Sequence, residues 1–320
     1  MDGSIPLQAG LDGCFIKKVE RMSNPLVTIA MSVHNGAATL GLAIRSILAQ
    51  TYQEWELIVA NDGSTDGTGE ILSRLRDPRF RVIQEPFGNL GLAHRLNQCI
   101  QLARGQYIAR MDADDVAYPQ RLQRQVHFLL NHPEVDLLGT GAVVFKGPGR
   151  VVGCYPMVCT HEKICQRPWW GFPLAHPTWM GKRTWFVSHP YSKEHIRCED
   201  QSLLLETSSD SRFAAMEEVL LGYRMERISA MKLGQGRLSY CRHLFGLVRD
   251  VPSALTAMRG VLIHGLAFGR DVLLDTMEIF NRRSRQSFEV ANDQVLSEWH
   301  QVWCSLNPQD VVSGLGPRRN

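Results

Sequence analysis

Four short apolar runs alternate with stretches of helical spacing over the first third of the chain, and this alternation restricts the fold more than any other feature. The runs are Leu26–Met31, Trp55–Ala60, Arg81–Ile83 and Tyr107–Met111. Leu40, Ala43, Ile44, Ile47 and Leu48 recur at helical steps within Thr39–Gln50. Further helices are predicted over Thr68–Leu75 and Leu92–Ala103, the last stopped by Arg104-Gly105. Short strands that read as continuous apolar runs are buried on both faces. Joined by helices, they form a parallel sheet, so the fold class is α/β.

Ligands of such sheets bind beyond the carboxyl ends of the strands. Three polar clusters stand at those ends: Ser32–Asn35, Asn61–Asp66 and Asp112–Asp115. They are expected to converge on one crevice. Asp112-Ala113-Asp114-Asp115 is the most demanding of them. Carboxylates gathered at the exit of a buried strand lose hydration and repel one another unless a cation neutralises them. Mg²⁺ or Mn²⁺ with oxygen ligands does this and commonly carries substrate phosphates as well. The plainer alternative makes Asp114 or Asp115 the cap of a segment starting near Pro119. Neither G-x-G-x-x-G nor a Walker A loop occurs at the matching place, which argues against a nicotinamide dehydrogenase and a P-loop kinase.

Composition narrows the class further. The 320 residues are 44% hydrophobic and 21% charged, room for one large domain or a domain plus an appendage. The net charge of +3 gives no ground for a nucleic-acid partner. Residues 1–230 balance at 24 basic and 24 acidic, whereas residues 231–320 carry 11 and 8. The eight cysteines form no C-x-x-C, and Cys154, Cys159, His161 and Cys165 fit no ordinary zinc knuckle, so they read as reduced and cytosolic. The first residues lack the pattern of a signal peptide. No apolar stretch reaches about 18 residues, and Val251–Phe268 is interrupted by Arg259, so no membrane span is expected.

Val27–Asn35, Ser46–Tyr52, Ile58–Asp66 and Ala109–Asp115, in this order and spacing, resemble the family 2 glycosyltransferases of the GT-A fold. The resemblance runs from about Pro25 to Arg227. It implies a nucleotide-sugar half at 25–118 and an acceptor half at 119–230; outside it, the aperiodic residues 1–24 read as a loose leader and residues 231–320 as a helical basic appendage. Carried over by position, it implies that Ser32 and His34 line the base and ribose, and that Asp62 binds the base, usually uracil. Asp112 falls near the ribose, and Asp114 holds Mn²⁺ or Mg²⁺ on the diphosphate. Asp115 orients that site. Asp66 reads instead as an Asx turn.

Ala175–Met180 resembles the family's H-P-[ST] strand, and Cys198–Leu205 its E-D motif at a helix start. Asp200 matches the general base of an inverting transfer. Trp170, with Trp169, is a candidate sugar platform, and His176 and Glu199 are candidate acceptor-side residues. Arg95 is expected on a solvated helix face. Arg110, inside a strand, requires a partner. Two departures stand out. Glu206 replaces the arginine that many members carry, and no Q-x-x-R-W follows Asp200, which favours single addition over processive synthesis.

The implied activity is transfer from a nucleotide-diphospho-sugar, most readily a UDP-sugar, to a saccharide or lipid-linked saccharide in surface-polymer assembly. Two rivals are a polyprenyl-phosphate sugar synthase and an inactive glycan-binding or scaffold module. Beyond Arg227, Leu244, Val248, Val251, Leu255, Met258 and Leu262 form a helical stripe broken near Pro252 and accompanied by arginines. A stripe of this kind can lie on an anionic membrane surface, which would make a cytoplasmic enzyme peripheral at the inner face of the plasma membrane. Packing on the catalytic domain, or a dimer contact, is the preferred expectation.

Overall fold

The computed structural model describes residues 24–84, 88–225, 230–276 and 288–307. The leader expected at 1–24 therefore lies outside the described residues except for Asn24. The first half runs β1 (Val27–Val33), α1 (Leu40–Leu48), β2 (Trp55–Asn61), α2 (Thr68–Ser73), β3 (Phe80–Gln84), α3 (Leu92–Leu102), β4 (Tyr107–Arg110) and β5 (Val116–Ala117). It continues through α4 (Arg121–Asn131), β6 (Leu137–Lys146), β7 (Arg150–Cys154), α5 (His161–Ile164), β8 (Met180–Lys182), α6 (Arg183–Ser188), α7 (Glu199–Thr207) and β9 (Phe213–Arg224). The appendage holds α8 (Ala230–Gly246), α9 (Val251–Thr276) and α10 (Asp293–Leu306).

Nine strands form one sheet in the order β3-β2-β1-β4-β8-β6-β9-β5, with β7 on β6. The β3-β2-β1-β4 half is parallel, as the alternation predicts, and β6 and β9 also run parallel. The short β8 joins the two halves antiparallel to β4 and β6. The four strands read from the apolar runs all form. Val27, Leu57, Val59 and Ala109 face one apolar layer with α1 and α4. Ala30, Ile58 and Ile108 face another with Leu96, Ile100 and Trp179.

In the second half the E-D helix forms as α7, whereas the H-P-[ST] segment expected as a strand is a 3₁₀ turn at His176–Thr178 that leads into β8, and β6, β9 and α10 lie beyond the elements read from the sequence. A third apolar layer joins Val143 and Phe145 of β6 to Trp299, Val302 and Trp303 of α10. Gly222 on β9 makes room for it, because a Cβ there would stand 2.2 Å from the Trp299 ring.

The break in the appendage falls between α8 and α9, with Pro252 in the first turn of α9 where a proline is tolerated. The stripe does not pack as expected. Leu244 is buried, but Val251, Leu255, Met258, Leu262 and Leu266 are exposed, Leu266 at 68%. Alanine and polar residues make the contact with α8 instead: Ala257 and Asp271 are fully buried, and Arg237 of α8 pairs with Asp271 at 3.0 Å. Small residues let the two helices approach, which leaves the long apolar side chains outside. One window of α9, within Val251–Leu273, is also long and apolar enough by composition to cross a membrane, with mean hydropathy 1.3 despite Arg259.

Candidate active site

The sheet register brings the three polar clusters together. Ala30 pairs with Arg110, and Val33 with Asn61, so the loops after β1, β2 and β4 leave the sheet side by side. The first two loops lock onto each other. His34 Nδ1 lies 2.8 Å from the Asp62 carbonyl, and Asn35, at a left-handed φ of 52°, accepts from the Thr65 amide through Oδ1. Asp66 accepts from the amides of Thr68 and Ala37, which is the turn expected of it. Ser32 is half-buried at the end of β1, and His34 is exposed.

Asp62 is 3% exposed and fully engaged in shaping the crevice. Its carboxylate accepts from the amides of Leu90 and Gly91, at the start of α3, and from Arg95 Nε at 2.9 Å. The helix dipole favours an anion there. Arg95 is thus not on a solvated face. It is 0% exposed, drawn inward because Asp62 lies over the same turn.

Arg110 finds its partner two residues on: Nη1 stands 2.5 Å from Asp112 Oδ2. The approach is that of an ion pair, since neither Nη1 nor Nε makes a hydrogen bond among the described residues. Ligand oxygens of Asp112, Asp114 and Asp115 lie within 4.8 Å of one another. Burial, then the Asp112 charge, pushes the Asp114 carboxyl up to about 6. Burial and the same neighbours hold Asp115 well above the usual carboxylate range. Asp115 Oδ1 accepts from the Arg224 amide at 2.8 Å, whereas its buried Oδ2 has no hydrogen-bond partner among the described residues. An orphaned carboxylate oxygen beside two further carboxylates is a donor set that fits Mg²⁺ or Mn²⁺. Arg224 also donates through Nε to the Asp114 carbonyl, 110 residues away in sequence, and fixes the loop from the side of β9.

The second set of acids opens α7. Burial, then Asp200, pushes Glu199 up to about 7, and burial raises Asp200. Gln201 donates to Asp200 Oδ2 at 3.2 Å and accepts from the Phe172 amide at 2.6 Å, tying the Trp169–Phe172 loop to the helix start. Trp170 on that loop is 60% exposed, as a platform for a sugar ring requires. His176 is buried in a 3₁₀ turn, Nε2 2.8 Å from the Tyr191 hydroxyl, and burial followed by Arg110 keeps it neutral. It supports Tyr191 and offers no exposed edge.

Arg110 links the two halves. Its buried charge offsets part of the rise that burial imposes on Asp114, Asp115, Glu199 and Asp200, so both sets of acids feel the same guanidinium. Sequence reasoning missed Tyr191, Arg224 and the role of Arg95. A charged residue within an apolar strand was the one visible signal, and it pointed to Arg110.

Comparisons with known proteins bear on the family and the fold. EpsE, a putative glycosyltransferase of Bacillus subtilis, is 44% identical over 126 residues, 38% of this chain and 45% of its own length. The match thus spans less than half of that relative. A UDP-Glc:α-D-GlcNAc-diphosphoundecaprenol β-1,3-glucosyltransferase of Escherichia coli, WfgD, is 27% identical over 61% of this chain and 74% of its own. Among solved structures, the mannosyltransferase PcManGT of Pyrobaculum calidifontis, in complex with GDP-Man and Mn²⁺, matches with a TM-score of 0.55 at 16% identity. That alignment covers 91% of this chain and 88% of that one, and carries the GT-A fold. Residues 28–188, half of the chain, match the model of Glycosyl transferase family 2, and the chain belongs to that family.

Proposed function

We propose that the enzyme transfers a sugar, with inversion and with a divalent metal, from a nucleotide-diphospho-sugar to a saccharide or lipid-linked saccharide. The reading rests on one observation: three carboxylates gather at the end of β4, and the buried Asp115 Oδ2 among them has no hydrogen-bond partner among the described residues. Asp112, Asp114 and Asp115 form the group suited to a cation. A bound Mn²⁺ or Mg²⁺ would there offset the charge of a diphosphate leaving group. Ser32, His34 and Asp62 line the nucleotide end. Asp62 Oδ2 accepts one backbone amide, which leaves it capacity for a further donor such as a base N–H.

Asp200 is the base. The acceptor hydroxyl oxygen bonds to the anomeric carbon as the bond to the diphosphate breaks on the opposite face, and the hydroxyl proton passes to Asp200. A raised pKa suits a group that must accept a proton in the transition state. Glu199 and Trp170 fall on the acceptor side.

UDP is the favoured nucleotide, and WfgD, whose name gives a UDP-sugar and a lipid-linked acceptor, supports both halves of the reading. The exposed stripe of α9, flanked by Arg242, Arg249, Arg259 and Arg270, suits an anionic bilayer where such acceptors reside. Surface-polysaccharide assembly at the inner face of the plasma membrane is the setting that follows. Titration calorimetry of UDP with and without Mn²⁺, on wild type and Asp114→Ala, tests the site. Metal-dependent binding lost in the variant is the expected result, and undiminished affinity in Mn²⁺ would remove the metal from the reading.

A further inference from the structure

Glu206 has two histidine neighbours. It lies on the last turn of α7, whose first turn carries Asp200. His195, on the loop before α7, places Nε2 3.6 Å from Glu206 Oε1. His243, on α8, places Nε2 3.3 Å from the same oxygen. The three ligand atoms lie within 4.8 Å of one another, and the imidazole centroids are 4.0 Å apart.

These contacts are poor hydrogen bonds. The His243 side chain is only 8% exposed, yet its Nε2 has no hydrogen-bond partner among the described residues. Two ring nitrogens converge on one carboxylate oxygen, and both spacings resemble the edge of a coordination tetrahedron. Metal–ligand bonds of about 2.0–2.2 Å at the tetrahedral angle give edges of about 3.3–3.6 Å. Octahedral coordination would bring neighbouring ligands closer, to about 2.8–3.1 Å at the same bond lengths. Two imidazoles and a carboxylate favour a borderline cation over Mg²⁺ or Ca²⁺.

We propose that His195, Glu206 and His243 form a zinc site that clasps α8 of the appendage to the helix bearing the base. The fourth position is open to water, because the Glu206 side chain is 40% exposed. The surroundings are built for close approach. Gly236 of α8 has space only for a hydrogen, since a Cβ would stand 2.8 Å from the Arg197 carbonyl. Arg197 itself holds a left-handed φ of 64°. Tyr240 and Leu244 of α8 bury against Cys198 just below. The clasp is separate from the Asp112–Asp115 group and does not depend on the proposed donor chemistry.

The experiment uses the full chain, stripped with chelator, and Zn²⁺ or Co²⁺ alone as the probe. An Asp114→Asn background separates the site from the acidic loop. In that background one equivalent of zinc is expected to bind and to raise the melting temperature by several degrees. Co²⁺ is expected to give the intense visible bands of a tetrahedral centre. His195→Ala and Glu206→Gln, both at partly exposed positions, should each weaken zinc binding at least tenfold and abolish those bands. They avoid the buried His243, whose replacement could unfold the contact. No zinc uptake in the Asp114→Asn chain, or uptake unchanged by both further substitutions, overturns the proposal.

Discussion

Replacing Arg95 by methionine removes the guanidinium that pairs with Asp62 and also donates to Gln98. Methionine keeps most of the apolar stem and deletes the guanidinium. The change faces Asp62 with side-chain exposures of 0% for Arg95 and 4% for Asp62, so solvent cannot take over the lost charge. Breaking one partner out of a buried pair costs about 3–5 kcal/mol. Asp62 keeps the amides of Leu90 and Gly91, which places the expected loss at the lower end, about 3 kcal/mol. For a domain of this size that corresponds to about 6–12 °C in melting temperature.

Thermal unfolding followed by circular dichroism reads the effect, with Arg74→Ala as an internal control. Arg74 also pairs with a carboxylate, Glu70 at 3.3 Å, but both side chains are more than 70% exposed and no measurable change is expected. UDP affinity should fall in Arg95→Met, because Asp62 and the start of α3 lose their common anchor. If Arg95→Met melts within 2 °C of wild type, as Arg74→Ala does, the pair is not what holds this loop.

Asp200→Asn should leave donor affinity unchanged and lower kcat by about 10²–10⁴, measured by UDP release with acceptor present; wild-type turnover would reduce Asp200 to a helix cap. Burial raises Asp200, and a base works only when ionised, so activity should be lost as pH falls through its pKa. The acid limb of the rate profile should therefore lie above the ordinary aspartate value of about 4, and full activity at pH 4 would contradict that. Liposome co-sedimentation should show salt-sensitive binding to anionic and not to neutral vesicles, reduced by Leu262→Glu in the exposed stripe; equal, negligible binding to both would reject the membrane contact.

The β3-β2-β1-β4 half of the sheet was legible because each of its strands is a continuous apolar run and each loop carries its polar residues within a few positions of the strand end. The places of Asp62, Asp112 and Asp114 at the strand ends could be read from that local order, and their roles are what the proposed function adds. The second half of the sheet was not legible. β6 contains Gly139, Thr140 and Gly141, and its register on β9 shifts at Gly141, so neither alternation nor an unbroken apolar run marks it. Arg95 was misplaced because helical spacing alone puts it among polar neighbours; its partner is 33 residues away. The exposure of the α9 stripe was equally hidden. Periodicity identifies an apolar face but not which side of the helix meets its neighbour, and alanines at Ala257 and Ala267 won that contact.

The docking of α10 has a consequence for synthesis. Leu42 of α1 belongs to the same apolar layer as Trp299 and Trp303, and Arg45 donates to the Leu306 carbonyl across 261 residues. The β3-β2-β1-β4 strands can assemble early, since their contacts with one another are complete once the chain reaches Arg110. Phe145 and the notch at Gly222 must wait until α10 has left the ribosome. Until then the nascent chain carries an uncovered aromatic groove, the kind of surface that recruits chaperones and favours wrong partners. A late closure over so long a loop also slows the final folding step, so truncation before Asp293 should yield a chain prone to aggregate rather than a smaller stable enzyme.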